Sequence, residues 1–495
     1  MENTTPYSRL CALINIQPIN QTRNLIEFCD QNVFHDISIN ERIALSLQVL
    51  LEMVLEDKTY QGKINKTLVD HYISQIDELI EKQLNIILHH QKFQALESRW
   101  RGLNYLSDRV DYNANVKVEV LDIGQDEMRD DFNDVESITE TALYKHIYID
   151  EYDTPGGEPI SVLVSDYTFD SSKNDILLLE NIGKVTSLTH CPFIGTVTPK
   201  FFYKESIEEV VNITDLTHYL ERAEYIPWRA FRNTEYSKYV ALTLPRFLLR
   251  LPYGVDNPIR SLNFEEESLN FNDYLWGTAS FAFAANIANS FKKYGWCVNI
   301  RGAESGGKVE GLPVPLYETK GIFETKIPTE CIIPETRELE LSNLGFIPLS
   351  YYKNSDYACF FSANSCHAVS NYYDEAVQAN QRINSKLPYL LLTSRLAHYF
   401  KVIQRESIGT NRSQDELESN LNQWLQKLVT KMNNPGPELS STHPLRDGTV
   451  KVEKIPDNPG FYKVFIQVLP HFQIEGIDAR LSLVAQIPAL ANKER

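Results

Sequence analysis

The chain has 495 residues, of which 43% are hydrophobic and 23% charged, and a formal net charge of −18. That length and balance describe a folded protein of roughly two to four domains and speak against disorder except at the ends. The acidity favours solubility and argues against nucleic acid, whose phosphates need clustered Lys and Arg; no run of about 18 apolar residues offers a membrane span.

In chain order, residues 1–38 are polar with isolated apolar positions and read as an extended or weakly ordered arm. No basic or apolar leader opens the chain, and seven scattered Cys suit buried thiols in a reducing cytosol. Asn40 is an expected N-cap for a helix over 41–57, with Ile43, Leu47, Leu50, Leu51 and Val54 on one side. Thr67-x-x-Asp70 opens a second helix, where Val69, Ile73, Ile76, Ile80, Leu84 and Ile87 recur at helical spacing. Alternation predicts a strand at 116–123. Thr154-Pro-Gly-Gly-Glu-Pro159 marks a turn, followed by a strand over 160–164, a helix over 173–189 and a strand over 193–198. Helices are expected at 213–224, 228–240 and 273–294, a strand at 297–301, and an irregular stretch at 311–333. A long helix is expected at 374–408. Another runs over 413–432 with a Ser413-x-x-Glu416 capping box, and Asn433-Asn-Pro-Gly-Pro437 stops it. Three alternating strands close the chain at 449–455, 461–469 and 477–485. Such strands either complete the chain's own sheet or offer an edge to another molecule.

Candidate chemistry is sparse. Gly302-Ala-Glu-Ser-Gly306-Gly307-Lys308 follows an expected strand and spells a phosphate-loop pattern. Val309 stands where the magnesium-holding Ser or Thr belongs, and Gly311-Leu-Pro313-Val-Pro315 is a poor helix start. There is no C-x-x-C and no H-x-x-x-H; His89-His90, His190-Cys191 and Cys366-His367 are neighbours that do not converge on a metal. Glu265-Glu266-Glu267 reads as a solvated acidic face. Arg101, Arg229, Arg232, Arg246 and Arg250 lie among aromatic and apolar residues, which suits buried or interfacial hydrogen bonds. No catalytic, cofactor or metal site is assigned; the alternative is a cytosolic anion- or nucleotide-binding enzyme using Gly302–Lys308.

One stretch is specific: Phe93-Gln-Ala-Leu96-Glu97-Ser-Arg-Trp100-Arg101-Gly102-Leu103-Asn-Tyr105-Leu106. Ser165-Asp166-Tyr167, Cys191-Pro192-Phe-Ile-Gly195, Trp228-Arg229-x-Phe231-Arg232, Leu244-Pro245-Arg246, Arg250-Leu-Pro252-Tyr253-Gly254, Tyr274-Leu-Trp276-Gly277 and Arg395-x-Ala397-His398-Tyr399 follow in order. Together they resemble the large tail-sheath subunit of bacterial type VI secretion systems, the EvpB/VipB/TssC family, from about residue 40 onwards. The acidic, Asn- and Ile-rich character resembles the branch found in intracellular pathogens such as Francisella. The resemblance implies an α+β, non-enzymatic subunit of the bacterial cytoplasm. It would pair with a small sheath subunit and wind helically with other copies of itself around a hexameric inner tube, between a baseplate and a disassembling AAA+ unfoldase. It further implies a helical region at 39–112 that meets the small subunit, a mixed α/β region at 113–370, and a tube-facing part at 371–495. Strands of that last part would knit neighbouring protomers through Val450, Val452, Val464, Ile466, Val468, Ile477, Ala479, Leu481 and Leu483.

Overall fold

The structure, a computed structural model, describes residues 6–13, 15–17, 38–56, 66–260, 262, 264–268, 270–319, 322–325, 327–353, 355–369, 375–406, 413–432, 435–454 and 462–471. The chain divides into two compact units, Met1–Gln83 and Leu84–Arg495. The first is helical, with Pro6–Leu13, Ile39–Glu56 and the greater part of Lys66–Leu88. Cys11, Ala44, Leu45 and Leu51 are buried there, and Tyr7 donates to the Ala44 carbonyl at 3.0 Å. The Ile39–Glu56 helix is capped by Ser38, two residues before the expected Asn40: the Glu41 carboxylate accepts from the Ser38 amide and the Ser38 hydroxyl from the Glu41 amide. Ser38-Ile-Asn-Glu41 is thus the capping box.

The second unit holds the strands β1 Leu163–Phe169, β2 Phe193–Val197, β3 Val240–Leu244, β4 Phe247–Leu248, β5 Trp276–Gly277, β6 Lys308–Val309, β7 Leu316–Thr319, β8 Ile322–Thr325, β9 Phe346–Tyr351, β10 Ala358–Phe360, β11 Leu445–Lys454 and β12 Tyr462–Pro470. Six form one mixed sheet in the order β1-β2-β3-β9-β10-β6, parallel from β1 to β9 and antiparallel beyond. Alternate residues of its central strands feed two cores. Phe193, Val240, Leu242 and Phe346 face the Lys173–Thr189 helix and an aromatic cluster of Phe201, Phe202 and Trp228. Ile194, Ala241, Ile347 and Leu349 face the Ala279–Tyr294 and Leu387–Glu406 helices. With both faces covered, these strands read as continuous apolar runs. A third core joins the Leu387–Glu406 and Gln414–Gln426 helices to the antiparallel β11–β12 hairpin. The architecture is α+β.

Several expected elements differ. The helix expected at 228–240 ends at Arg232, and Val240 begins β3; β9 and β10 were not anticipated. A short apolar run without alternation does not distinguish a buried strand from a helix. Residues 116–123 belong to no strand or helix; Val116 and Val118 pack onto Leu106, Val110 and Phe281, which accounts for part of the alternation. The strand expected at 297–301 is likewise absent, these residues belonging to no strand. The stretch at 311–333 contains the β7–β8 hairpin. The helix expected at 374–408 is two, Glu375–Asn384 and Leu387–Glu406, and that at 413–432 ends at Gln426. The strand expected at 477–485 lies outside the described residues.

Candidate assembly interface

The phosphate-loop pattern is used for sheet geometry. Gly302 and Gly306 adopt φ of +77° and +84°. The Gly302 amide donates to Phe360 O at 2.7 Å, the Gly307 amide to Gly302 O at 2.9 Å, and the Phe360 amide to Gly307 O at 2.9 Å. A Cβ on Gly306 would stand 2.1 Å from Asn299 O, so glycine is required by the close approach. Lys308 enters β6, with its ammonium 3.5 Å from Glu304. No helix N-terminus follows, and the amides turn to carbonyls where a nucleotide would need them. The enzyme alternative therefore has no site here.

The Arg-rich segments build internal contacts, and one expectation is overturned: Glu266 is not a solvated carboxylate but 6% exposed. It accepts from Arg250 Nη1 at 2.6 Å and from the Tyr253 amide at 2.9 Å, with His89 Nε2 3.3 Å away. Arg250 Nε also donates to Glu97 at 2.8 Å, and Arg101 bonds both Glu97 and the Tyr253 hydroxyl. Burial raises the Glu97 pKa, but the Arg250 and Arg101 bonds outweigh it and hold the carboxyl below its ordinary range. Next to Arg101, a Cβ on Gly102 would meet Phe281 of the Ala279–Tyr294 helix at 2.7 Å. The Trp100-Arg-Gly102 motif thus supplies a charge anchor and a close helix crossing, while Trp100 itself is exposed. Elsewhere Arg232 donates to the carbonyls of Cys366 and Asn343, Arg246 pairs with Glu330, and Arg229 reaches Arg222 O at 3.5 Å.

Thiol chemistry is suppressed at the buried cysteines of the second unit. Burial pushes the Cys191 and Cys366 thiols up, and that of Cys359 to about 12, which leaves no thiolate at neutral pH. Among the described residues no group of three His, Cys, Asp or Glu could hold a metal, and no helix is long and apolar enough to cross a membrane.

The C-terminal hairpin carries those expected partner-binding residues that are described. Val450 and Val452 are 3% and 1% exposed and pack in the third core with Leu417, Leu421 and Leu425 of the Gln414–Gln426 helix. That helix carries a second stripe, Gln414, Glu418, Asn422 and Gln426, at i, i+4 spacing. These side chains run along β11. Asn422 Nδ2 donates to Val450 O at 2.7 Å while Asn422 Oδ1 accepts from the Val450 amide at 2.9 Å. The Val452 amide donates to Glu418 at 2.8 Å, and Val452 O accepts from Gln414 at 2.6 Å. Gly448 O accepts from Gln426, and the Gly448 amide donates to Asp447 Oδ1, each at 2.8 Å.

Gly448, Val450 and Val452 therefore direct their peptide groups away from β12. Opposite residues of an antiparallel pair alternate in this respect. Since Val450 faces Ile466 and Val452 faces Val464, the peptide groups of Val464, Ile466 and Val468 point away from β11. Phe465, Ile466 and Leu469 are exposed on the same strand. Of the expected partner-binding residues that are described, Val450 and Val452 are occupied within the chain, and Val464, Ile466 and Val468 line an outward edge. Ile477, Ala479, Leu481 and Leu483 lie outside the described residues. The polar stripe was missed, although its i, i+4 spacing beside a Leu stripe is visible in the sequence.

Comparison with known proteins closes the question of family. The profile described as "EvpB/VC_A0108, tail sheath N-terminal domain" matches residues 70–367, and "EvpB/VC_A0108, tail sheath gpW/gp25-like domain" matches residues 376–487. The type VI secretion system sheath protein TssC1 of Pseudomonas aeruginosa is 38% identical over 458 residues, covering 91% of this chain and 92% of its own length. Two solved chains are more distant. One from the anti-feeding prophage baseplate has TM-score 0.40 and 11% identity, covering 75% of this chain and 84% of that one. One from the contracted helical sheath of the same particle has TM-score 0.32 and 11% identity, covering 70% and 76%. The assignment rests on the sequence matches: the chain belongs to the EvpB/VipB tail-sheath family of type VI secretion systems and is a structural subunit of the contractile sheath, not an enzyme.

Proposed function

We propose that this chain is the large half of a heterodimer with a small sheath subunit, and that the heterodimers wind helically around a hexameric inner tube in the bacterial cytoplasm. The observation that carries the reading is the outward edge of β12, where the main-chain groups of Val464, Ile466 and Val468 have no partner among the described residues, because an unpaired row of amides and carbonyls accepts a strand from another chain. Residues 477–485 of a neighbouring copy supply an alternating sequence of suitable length. Main-chain strand exchange keeps protomers joined while their rigid bodies rotate during contraction. Such contacts do not close on themselves, so they generate a helix rather than a ring.

The first unit supplies the surface for the small subunit. Ile73, Ile76, Leu79 and Ile80 are exposed along the Lys66–Leu88 helix, and an amphipathic helix with its apolar stripe uncovered calls for a partner helix. Residues 371–495 face the inner tube in this reading. The polymer grows from a baseplate, and an AAA+ unfoldase takes the contracted form apart. Leu481→Pro is the direct test. It removes an amide from the donated strand and should abolish tubes in electron micrographs while the heterodimer still copurifies. Tubes of normal appearance in that variant would exclude strand exchange through this segment.

A further inference from the structure

A two-stranded sheet has two edges, and a sheath subunit with both open would accept strands on either side. Here the β11 edge is closed from within. All six outward peptide groups of Gly448, Val450 and Val452 have partners at 2.6–2.9 Å, five from the Gln414–Gln426 helix and one from Asp447. Asn422 is the centre of this arrangement. Its amide meets the N–H and C=O of Val450 together, reproducing the pair of bonds that a neighbouring strand would make. The neighbouring stripe of Leu417, Leu421 and Leu425 lies against the buried face of the same strand, and a Cβ on Gly448 would come within 2.8 Å of Leu425. One helix thus covers β11 twice, by its leucines on the face and by its amides and carboxylate on the edge.

We infer that Gln414, Glu418, Asn422 and Gln426 act as a built-in substitute strand that closes the β11 edge and restricts the hairpin to a strand from another sheath chain on β12. This rests on the strand-exchange reading above and adds a direction to it. Each hairpin is an acceptor on one side only, with Val464, Ile466 and Val468 as its main-chain acceptor positions. The arrangement suits a sheath, in which every link must run the same way along the helix. It also removes the open edge that would otherwise pair two hairpins in unproductive dimers.

Amide hydrogen exchange on the full chain, unassembled and in the polymer formed with its small partner, tests this. In the unassembled protein the Val450 and Val452 amides should exchange at least about 100-fold more slowly than those of Val464, Ile466 and Val468. In the polymer the β12 amides should become protected and the β11 amides should not change. Asn422→Leu keeps a good helix former and should speed exchange at Val450 about tenfold, the loss of a bond of about 1.4 kcal/mol; the wild-type comparison stands without it. Equal exchange on the two strands before assembly would overturn the closed edge. Protection gained on β11 during assembly would overturn the direction. Slow β11 amides with β12 unprotected in the polymer would instead refute strand exchange itself, and the inference with it, while leaving the closed edge intact.

Discussion

The six-stranded sheet and the C-terminal hairpin solve the same problem in opposite ways. In the sheet, β2, β3 and β9 lie between neighbours with both faces buried, and the final strand β6 is cut to two residues. In the hairpin, β11 and β12 are ten and nine residues long with few neighbours. One edge is closed by helix side chains, and the other has no partner strand among the described residues and lies beside exposed Phe465, Ile466 and Leu469. Packing makes the first region a body. On the strand-exchange reading proposed above, incomplete pairing would make the second a joint. That reading assigns stability and connectivity within one structural subunit to different sheets.

That division can be broken from the core side first. Trp228 is 1% exposed, stacked on Phe346 at 5.6 Å and edge-on to Phe201 at 5.1 Å. Trp228→Ala should cost about 3–5 kcal/mol in chemical denaturation, with exchange at the hairpin unchanged until global unfolding. Arg250→Leu should follow at about 3 kcal/mol, since it leaves Glu97 and Glu266 buried without their shared cation. It should also alter the acid limb. In the wild type the lowered Glu97 pKa contributes stability that is present above the ordinary carboxylate range and lost as pH falls through the lowered value. In Arg250→Leu that dependence should vanish or reverse, read from the denaturation midpoint against pH.

A smaller effect comes from His398. Its Nε2 lies 3.1 Å from Thr189 O, and burial holds its pKa down at about 4 from an ordinary 6.5. The folded state favours the neutral ring, so this stability is present above pH 6.5 and drains away as pH falls toward 4. His398→Gln should flatten the decline in that window. Smallest for the fold is Ile466→Pro, which removes an amide that faces away from β11 and should change stability by less than about 1 kcal/mol. It should nonetheless prevent tube formation in micrographs. A large loss of fold stability there would mean that β12 belongs to the body after all.

How much was legible depended on the range of the interaction. The Lys173–Thr189 helix matched its expected bounds because capping and periodicity are local. The first two C-terminal strands emerged because one side of each is wet and the alternation survives. Val240–Leu244 and Phe346–Tyr351 were obscured because both faces are buried and the period disappears. Glu266 was misread because its meaning depends on Arg250 and, through it, on Glu97 far back in the chain. The Trp100-Arg-Gly102 motif identified the family without disclosing its role. That role needs Phe281 and Tyr253 beside it, and no spacing rule encodes either.

A sheath subunit of this kind should build a polymer only together with its partner. Negative-stain electron microscopy of the full chain, purified with and without a coexpressed small sheath subunit, tests this. Tubular polymers in the coexpressed sample alone are the expected result. A compact, monodisperse particle that is the same with and without the small subunit would rule out polymerisation of this kind.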